Sequence, residues 1–250
     1  MEGLARRASY LKQIRHDMGR VLLVDTGNTL TGPSSAEDTR ADSPLVGAMT
    51  EMGYDAVNTE HSEFQAAPSL LRQLAHPGQP VLIASNAQMA SVSNTAGSEG
   101  AQPRRFLVLR ISGIRVGLVG VMSPGAASEQ PGMVEPPVAA LRSLLPEVGR
   151  EADVIIVLAD LSPSEVQALL DARLDIQVVL ACRAIVNSDV SLSHVGQTLL
   201  ATNTGEGPYI GRLTLEINAD GQITSYEGGS ELLDSKTPED PALKRLLAQY

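Results

Sequence analysis

The sequence has almost no aromatic residues, a single cysteine and no long apolar run. Its 250 residues include no Trp, two Phe and five Tyr, so stacking platforms for bases or sugars are nearly unavailable. Cys182 is the only cysteine, which excludes an intrachain disulfide and a Cys-rich metal site. No apolar run approaches the ~20 residues of a membrane-spanning helix, so no membrane span is expected.

Basic residues are also in the minority. The chain has 19 Lys and Arg against 29 Asp and Glu, a net charge of −10 and a pI of about 4.9. Phosphate contacts need Lys and Arg, so this balance disfavours nonspecific binding to nucleic acid. Apolar residues make up 43% of the chain, which is enough for a core and excludes disorder of the whole chain. The length allows one or two domains.

Common signature motifs of nucleotide-binding proteins and hydrolases are missing. The sequence contains no G-x-x-x-x-G-K-[ST], no G-x-S-x-G and no H-E-x-x-H. Gly113, Gly117 and Gly120 lack the spacing of a dinucleotide-binding fingerprint. His61 and Ser62 are neighbours, but adjacent side chains in a strand-to-loop segment tend to point apart, which argues against a Ser–His catalytic pair.

Continuous Val, Ile and Leu runs alternate with helical segments along the chain. The predicted strands are residues 20–25, 56–57, 80–84, 106–111, 114–121, 153–159, 176–181, 198–203, 209–217 and 222–226. The predicted helices are residues 1–18, 44–53, 66–75, 136–151, 163–172 and 241–249. Strands of this kind are covered on both faces, and the hairpins between some of them are antiparallel. The pattern predicts a mixed α/β layered sandwich, with no repeat or composition shift to mark a second domain.

Polar residues come directly after four of the apolar runs. They are Asp25–Asn28, Glu60–Glu63, Asp160 and Arg183. In layered α/β proteins, sites assemble at the carboxyl ends of the strands, so these loops are the candidate site. The alternative is that they are ordinary polar strand ends that face solvent.

Eight blocks of sequence carry a family resemblance and occur in a consistent order. They are GLARRASYLKQIR, VLLVDTGNTLTG, MGYDAVNTEHSEF, PVLIASNA, GIRVGLVGVMSP, ADVIIVLADL, DIQVVLAC and GPYIGRLTLEINADGQI. Together they resemble the N-terminal domain of the 5′-nucleotidase/UDP-sugar hydrolase branch of the calcineurin-like metallophosphoesterases. The resemblance implies a four-layer α-β-β-α sandwich with mixed sheets and a two-metal centre at the strand ends. It also implies one domain over residues 1–250, with the family's first strand and its C-terminal nucleotide-binding domain absent.

The resemblance implies a set of metal ligands, and the ones in the family's first three motifs are missing or changed in this sequence. The family's opening D-x-H strand has no counterpart before Gly3. The bridging Asp of the family's GDTL motif corresponds to Asn28, which keeps an acceptor oxygen and loses the charge. The Asn and the catalytic His of the family's GNHEF motif correspond to His61 and Ser62.

The later ligand positions are changed as well. The metal-binding His of the family's S-H-L motif corresponds to Asp160, and the family's G-H-x-H falls on residues 182–185. Arg183 then stands near a lost metal, where its charge could pair with Asp160. Two clustered hard cations need several anionic ligands, and the inherited positions supply one carboxylate. The sequence therefore favours a catalytically inactive protein with a dismantled site and no cofactor, which acts as a scaffold for a protein partner or a second copy.

A rebuilt site is the alternative. Asn28, His61 and Asp160, with Glu63 or Asp25, could hold one Mn²⁺, Zn²⁺ or Mg²⁺ ion and support phosphoester or nucleotide hydrolysis. Asp25 could instead cap its own turn. No signal peptide opens the sequence, which predicts a cytoplasmic location as written. The family is typically exported, so an incomplete N-terminus would favour the periplasm or the cell surface.

Overall fold

The computed structural model describes residues 2–29, 44–60, 74, 78–87, 103–124, 134–182, 191–202, 208–218 and 220–249. The helices are α1 (Glu2–Met18), α2 (Pro44–Met52), α3 (Pro137–Glu151), α4 (Pro163–Asp171) and α5 (Pro241–Leu247). The strands are β1 (Val24–Asp25), β2 (Ala56–Asn58), β3 (Val81–Ile83), β4 (Leu107–Ile111), β5 (Ile114–Met122), β6 (Val154–Asp160), β7 (Val178–Ala181), β8 (Ser191–Val195), β9 (Thr198–Thr202), β10 (Tyr209–Ile217) and β11 (Ile223–Leu232).

The strands form two main sheets and one hairpin. A three-stranded parallel sheet has the order β1-β2-β3. A six-stranded sheet has the order β4-β5-β6-β7-β9-β8, in which the central strands β5, β6, β7 and β9 are parallel and the two outer strands are antiparallel to their neighbours. Strands β10 and β11 pair as an antiparallel hairpin. The six-stranded sheet is therefore mixed, as the sequence predicts.

Three apolar clusters separate four layers. One cluster joins α1, α2 and α5 to the outer face of the three-stranded sheet. A second fills the space between the two sheets and is flanked by the β10–β11 hairpin. A third joins the six-stranded sheet to α3 and α4. The order helix, sheet, sheet, helix confirms the predicted four-layer α-β-β-α sandwich.

Strand β6 explains why the apolar runs are continuous. It is buried along its whole length, and its side chains alternate between the two clusters. Those that face the other sheet are Val154, Ile156 and Leu158, and those that face the helices are Ile155, Val157 and Ala159. Because both faces are covered, every position in the strand is apolar until Asp160.

Local signals set the ends of several elements. Helix α4 begins with a capping box in which Ser162 and Glu165 satisfy each other's backbone N–H groups. Ser112 and Gly113 join β4 to β5 with φ angles of 48° and 92°, the left-handed pair that a tight hairpin turn needs. The start of α4 and the position of the hairpin agree with the predicted bounds, and the capping box was not predicted. The predicted helix over residues 66–75 lies almost wholly outside the described residues. Strand β8 is present in the structure but was not predicted.

The basic face of α1 is used inside the fold. Arg15 donates to the backbone oxygens of Met52 and Gly53, and Lys12 pairs with Asp240 at the start of α5. These contacts fix α1 against α2 and α5. Within the part of the chain that the structure describes, no helix is long and apolar enough to cross a membrane.

Candidate functional site

The carboxyl ends of the two sheets meet at one point. Gly27 follows β1 in the small sheet, and Asp160 ends β6 in the large sheet. A Cβ atom placed on Gly27 would lie 3.0 Å from Asp160 Cβ and 3.4 Å from Asn58 Nδ2. Gly27 has a φ of 112°, which a residue with a side chain rarely adopts. The structure thus brings the Asp25–Asn28 turn, the end of β2 and Asp160 together.

The turn after β1 is held by its own carboxylate. Asp25 accepts hydrogen bonds from the Gly27 backbone N–H and from Thr29 Oγ1, each at 2.9 Å. Burial raises the pKa of the Asp25 carboxyl, and these two bonds and the charge of Arg7 only partly offset that rise. Asp25 therefore caps its own turn, the alternative to a metal-ligand role that the sequence also allows.

Asn28 lies at the surface of this turn. Its side chain is exposed, and its backbone has a φ of 62°, a left-handed conformation that Asn tolerates better than most residues. As a neutral amide, Asn28 adds no negative charge for a cation.

Asp160 is the buried carboxylate at the end of the large sheet. It is 2% exposed, and it points between the sheets because it continues the alternation of Ile156 and Leu158. The thiol of Cys182 donates to Asp160 Oδ1 at 3.4 Å, and the backbone N–H of Ser123 donates to the Asp160 carbonyl at 3.0 Å. Cys182 follows β7 and is buried. Its contact with Asp160 was not predicted.

The amide of Asn58 lies at the centre of the strand ends. Its Nδ2 donates to the backbone oxygens of Thr26 at 2.9 Å, Val121 at 3.0 Å and Leu158 at 3.3 Å. These acceptors belong to the turn after β1, to β5 and to β6, so one side chain spans both sheets. Asn58 is fully buried, and among the described residues its Oδ1 has no hydrogen-bond partner.

Ser85 and Asn86, which follow β3, also form hydrogen bonds with β5. Ser85 donates its backbone N–H to the Gly120 oxygen at 2.7 Å, and its Oγ accepts from the Gly120 N–H at 2.9 Å. Asn86 accepts from the Met122 N–H at 3.0 Å and donates to the Met122 and Glu135 oxygens, each at 2.8 Å. Asn58, Ser85 and Asn86 together are called the inter-sheet polar seam below.

Sequence reasoning missed the seam, although a signal was present. Asn58 is a polar residue at the end of a buried strand, and Gly120 interrupts the apolar run of β5. A lone glycine inside a strand often marks a close approach of another group. A Cβ on Gly120 would overlap Asn58 Oδ1, so the two interruptions are parts of one contact.

Several predicted site residues lie outside the described part of the chain. They are His61, Ser62, Glu63 and Arg183. The predicted pair of Arg183 with Asp160 therefore stays a prediction, as does any role of His61.

The described donor groups do not fit a two-metal centre. Within the described ranges, no three His, Cys, Asp or Glu side chains are grouped closely enough to hold a metal ion. Asn58 presents its N–H group, not an oxygen, to the middle of the strand ends. A donor that already faces three carbonyl oxygens cannot act as a ligand for a cation.

Comparison with known proteins gives likenesses in structure alone. No protein-family model and no curated protein sequence matches the chain. A 5′-nucleotidase precursor from Thermus thermophilus superposes with a TM-score of 0.81 at 19% identity, over 99% of this chain and 52% of its own length. The calcineurin-like phosphoesterase YfkN of Bacillus subtilis gives 0.74 at 18% identity, over 98% of this chain and 87% of its own. The sulfate thiohydrolase SoxB of Thermus thermophilus gives 0.78 at 14% identity, over 98% of this chain and 46% of its own.

These likenesses define the fold. The chain has the fold of the calcineurin-like phosphoesterases, in the form found in 5′-nucleotidases, which confirms the resemblance at this level. It spans about half the length of the Thermus thermophilus 5′-nucleotidase precursor.

Proposed function

We propose that this protein is a 5′-nucleotidase-like phosphoesterase-fold protein that has lost two-metal catalysis and acts as a binding or scaffold module. The observation that carries the proposal is the chemistry of the strand ends. Two divalent cations need several carboxylates or imidazoles around them to offset their charge. Among the described residues, one carboxylate, Asp160, points between the sheets at that place, and a thiol donates to it.

The surrounding groups support the same proposal. Asn28, at the position of the family's bridging carboxylate, is a neutral and exposed amide. Asp25 is committed to its own turn, and Asn58 presents a donor. Neither amide supplies the negative charge that is needed to balance a divalent cation at the strand ends.

The proposal is tested by hydrolysis and metal content together. The full chain is assayed with p-nitrophenyl phosphate and nucleoside monophosphates, with added Mn²⁺, Zn²⁺ or Mg²⁺, beside the variant Asp160→Asn. We expect no turnover above that of the variant, and less than one metal ion retained per chain after dialysis. Metal-dependent turnover that His61→Ala abolishes would contradict the proposal and favour a rebuilt hydrolase site.

The partner is proposed as a protein or as a second copy of the chain. Size-exclusion chromatography with light scattering separates the two, because a homo-oligomer has a multiple of the 26.4 kDa chain mass without any addition. A monomer leaves a different protein as the partner to be sought by crosslinking.

A further inference from the structure

The hydrogen bonds of Asn58 fix which atom of its amide faces the strand ends. Three backbone oxygens surround one terminal atom of the side chain, at 2.9 Å, 3.0 Å and 3.3 Å. A carbonyl oxygen placed there would meet three other oxygens with no proton between them, so that atom must be the NH₂ group. The two protons of this group are shared by three acceptors from three segments of the chain.

Two glycines build the space for this amide. Gly27 lies on one side, where a Cβ would press on both Asp160 and Nδ2, and Gly120 lies on the other, against Oδ1. Oδ1 is buried without a hydrogen-bond partner in the part of the chain that the structure describes, which costs free energy. The three hydrogen bonds of Nδ2 have to outweigh that cost. The stabilising contribution of Asn58 therefore comes from its NH₂ group.

We propose that the inter-sheet polar seam, with Asn58 at its centre, joins the carboxyl ends of the two sheets without a metal ion. Ser85 and Asn86 extend the link along β5, so the large sheet is bound to the small one at successive points. This inference rests on hydrogen bonds within the described residues and does not depend on whether the protein is catalytically active.

The seam also makes the strand ends unsuited to a cation at this point. Backbone oxygens such as those of Thr26, Val121 and Leu158 are groups that Ca²⁺ and Mg²⁺ accept as ligands. Here these three oxygens already accept hydrogen bonds from the NH₂ group of Asn58. An ion could approach these oxygens only if the donor were removed, and Asn58→Asp would do that while it adds a carboxylate.

The test is thermal unfolding of the full chain and three variants, in millimolar EDTA and in millimolar CaCl₂ or MnCl₂. We expect the wild-type Tm to be the same in EDTA as without it. Asn58→Leu, which keeps the volume and removes the donor, should lower the Tm by about 5–10 °C in every buffer, because three buried acceptors lose their partner. Asn58→Asp should lower it at least as much in EDTA and recover several degrees when the divalent cation is added.

Asn218→Asp is the matched control, because it makes the same chemical change in an exposed turn whose backbone N–H groups bond to the side-chain oxygen. Its Tm should stay within about 2 °C of the wild type. If the Asn58 variants do not fold, hydrogen exchange of the wild type in EDTA decides instead, since the amides of Gly120 and Met122 should be among the slowest to exchange.

Two results would overturn the seam. One is an Asn58→Leu variant as stable as the wild type, and the other is a wild-type Tm that falls in EDTA. Retained metal with a Tm unchanged by EDTA would contradict the proposed loss of the metal centre and leave the seam in place, so the two proposals can fail separately.

Discussion

Gly120 has a hydrogen atom where any other residue would place a carbon. The position of its missing Cβ overlaps the Asn58 side chain and lies 3.1 Å from Ile83 Cγ2. Both neighbours are fully buried and cannot move toward solvent. Close packing of this kind makes even one added methyl group costly.

We therefore expect Gly120→Ala to destabilise the protein by about 1–3 kcal/mol. Urea unfolding followed by circular dichroism measures this as a lower midpoint with an unchanged slope. The control is Gly149→Ala on helix α3, where a Cβ meets nothing within 4 Å. That change should be neutral or stabilise by up to about 1 kcal/mol, because alanine favours the helix. Equal effects from the two substitutions would show that Gly120 has no special packing role.

The sequence shows which types of side chain lie near the strand ends, but it does not show which atoms those side chains contact. It identified Asp160 as a polar group at a strand end, and the structure places the Cys182 Sγ atom 3.4 Å from Asp160 Oδ1, a contact that the sequence did not indicate. It did not identify Asn58, because an Asn in a short strand has the same one-letter pattern whether it faces solvent or the core. What decides its role is the arrangement of carbonyl oxygens from distant segments, which no local pattern contains.

Helix α5 is attached to α1 through one carboxylate. Asp240 is its N-cap and accepts from the N–H groups of Ala242 at 3.0 Å and Leu243 at 2.8 Å. Lys12 of α1 donates to its other oxygen at 2.5 Å, and the Asp240 N–H donates to the Ala5 oxygen. The bond from Lys12 and those from the two cap N–H groups lower the pKa of Asp240, against the effect of burial.

This lowered pKa predicts how the stability of the helix contact depends on pH. The folded state holds the Asp240 proton less tightly than the unfolded chain, whose carboxyl has a pKa of 3.8. The contribution of the charge is therefore complete above that value and is lost as the pH falls through the lower folded value. Asp240→Asn, which keeps the cap and removes the charge, should have a lower Tm than the wild type at pH 7, and the gap should narrow as the pH falls below 3.8.

A companion variant separates the cap from the charge. Asp240→Ala removes both and should cost about 1 kcal/mol at pH 7, or about 2–4 °C in Tm. At pH 3, it should remain less stable than Asp240→Asn. A gap between Asp240→Asn and the wild type that is the same at both pH values would contradict the role given to the charge.

Elements with a strong local signal were predicted well. The β4–β5 hairpin follows from Ser112-Gly113, and α2 ends just before Gly53, which has a φ of 70°. Strand β8 was missed, because its sequence SLSHV is polar at three of five positions and most of it is solvent-facing. Its pairing with β9 is decided by the neighbouring strand, and its own residues give little preference.

The net charge of the whole molecule predicts its solubility. A charge of −10 at pH 7 keeps copies of the chain apart, and this repulsion vanishes near the pI of about 4.9. We expect light scattering of a dilute solution to be low at pH 7.5 and to rise sharply as the pH approaches 5. Scattering that is highest at neutral pH would instead indicate association through an apolar surface.

The fold as a whole was predictable from the order of its apolar runs and the likeness of its blocks. Strands covered on both faces give continuous runs, and those runs are the most robust signal in a sequence. The site was less predictable, because its meaning depends on which polar groups meet between two sheets. His61 and Arg183 keep their predicted roles as hypotheses.

Because both faces of β6 are buried, its apolar side chains alone do not determine its register against β5 and β7. A strand that is apolar on each side could slide by one residue against β5 and β7 without exposing any charge, except at its last position. Such a slide would turn Asp160 from the space between the sheets toward the apolar cluster of α3 and α4, where a carboxylate would lack the Cys182 thiol. Asp160 therefore favours the observed register of β6 over one that is shifted by a single residue.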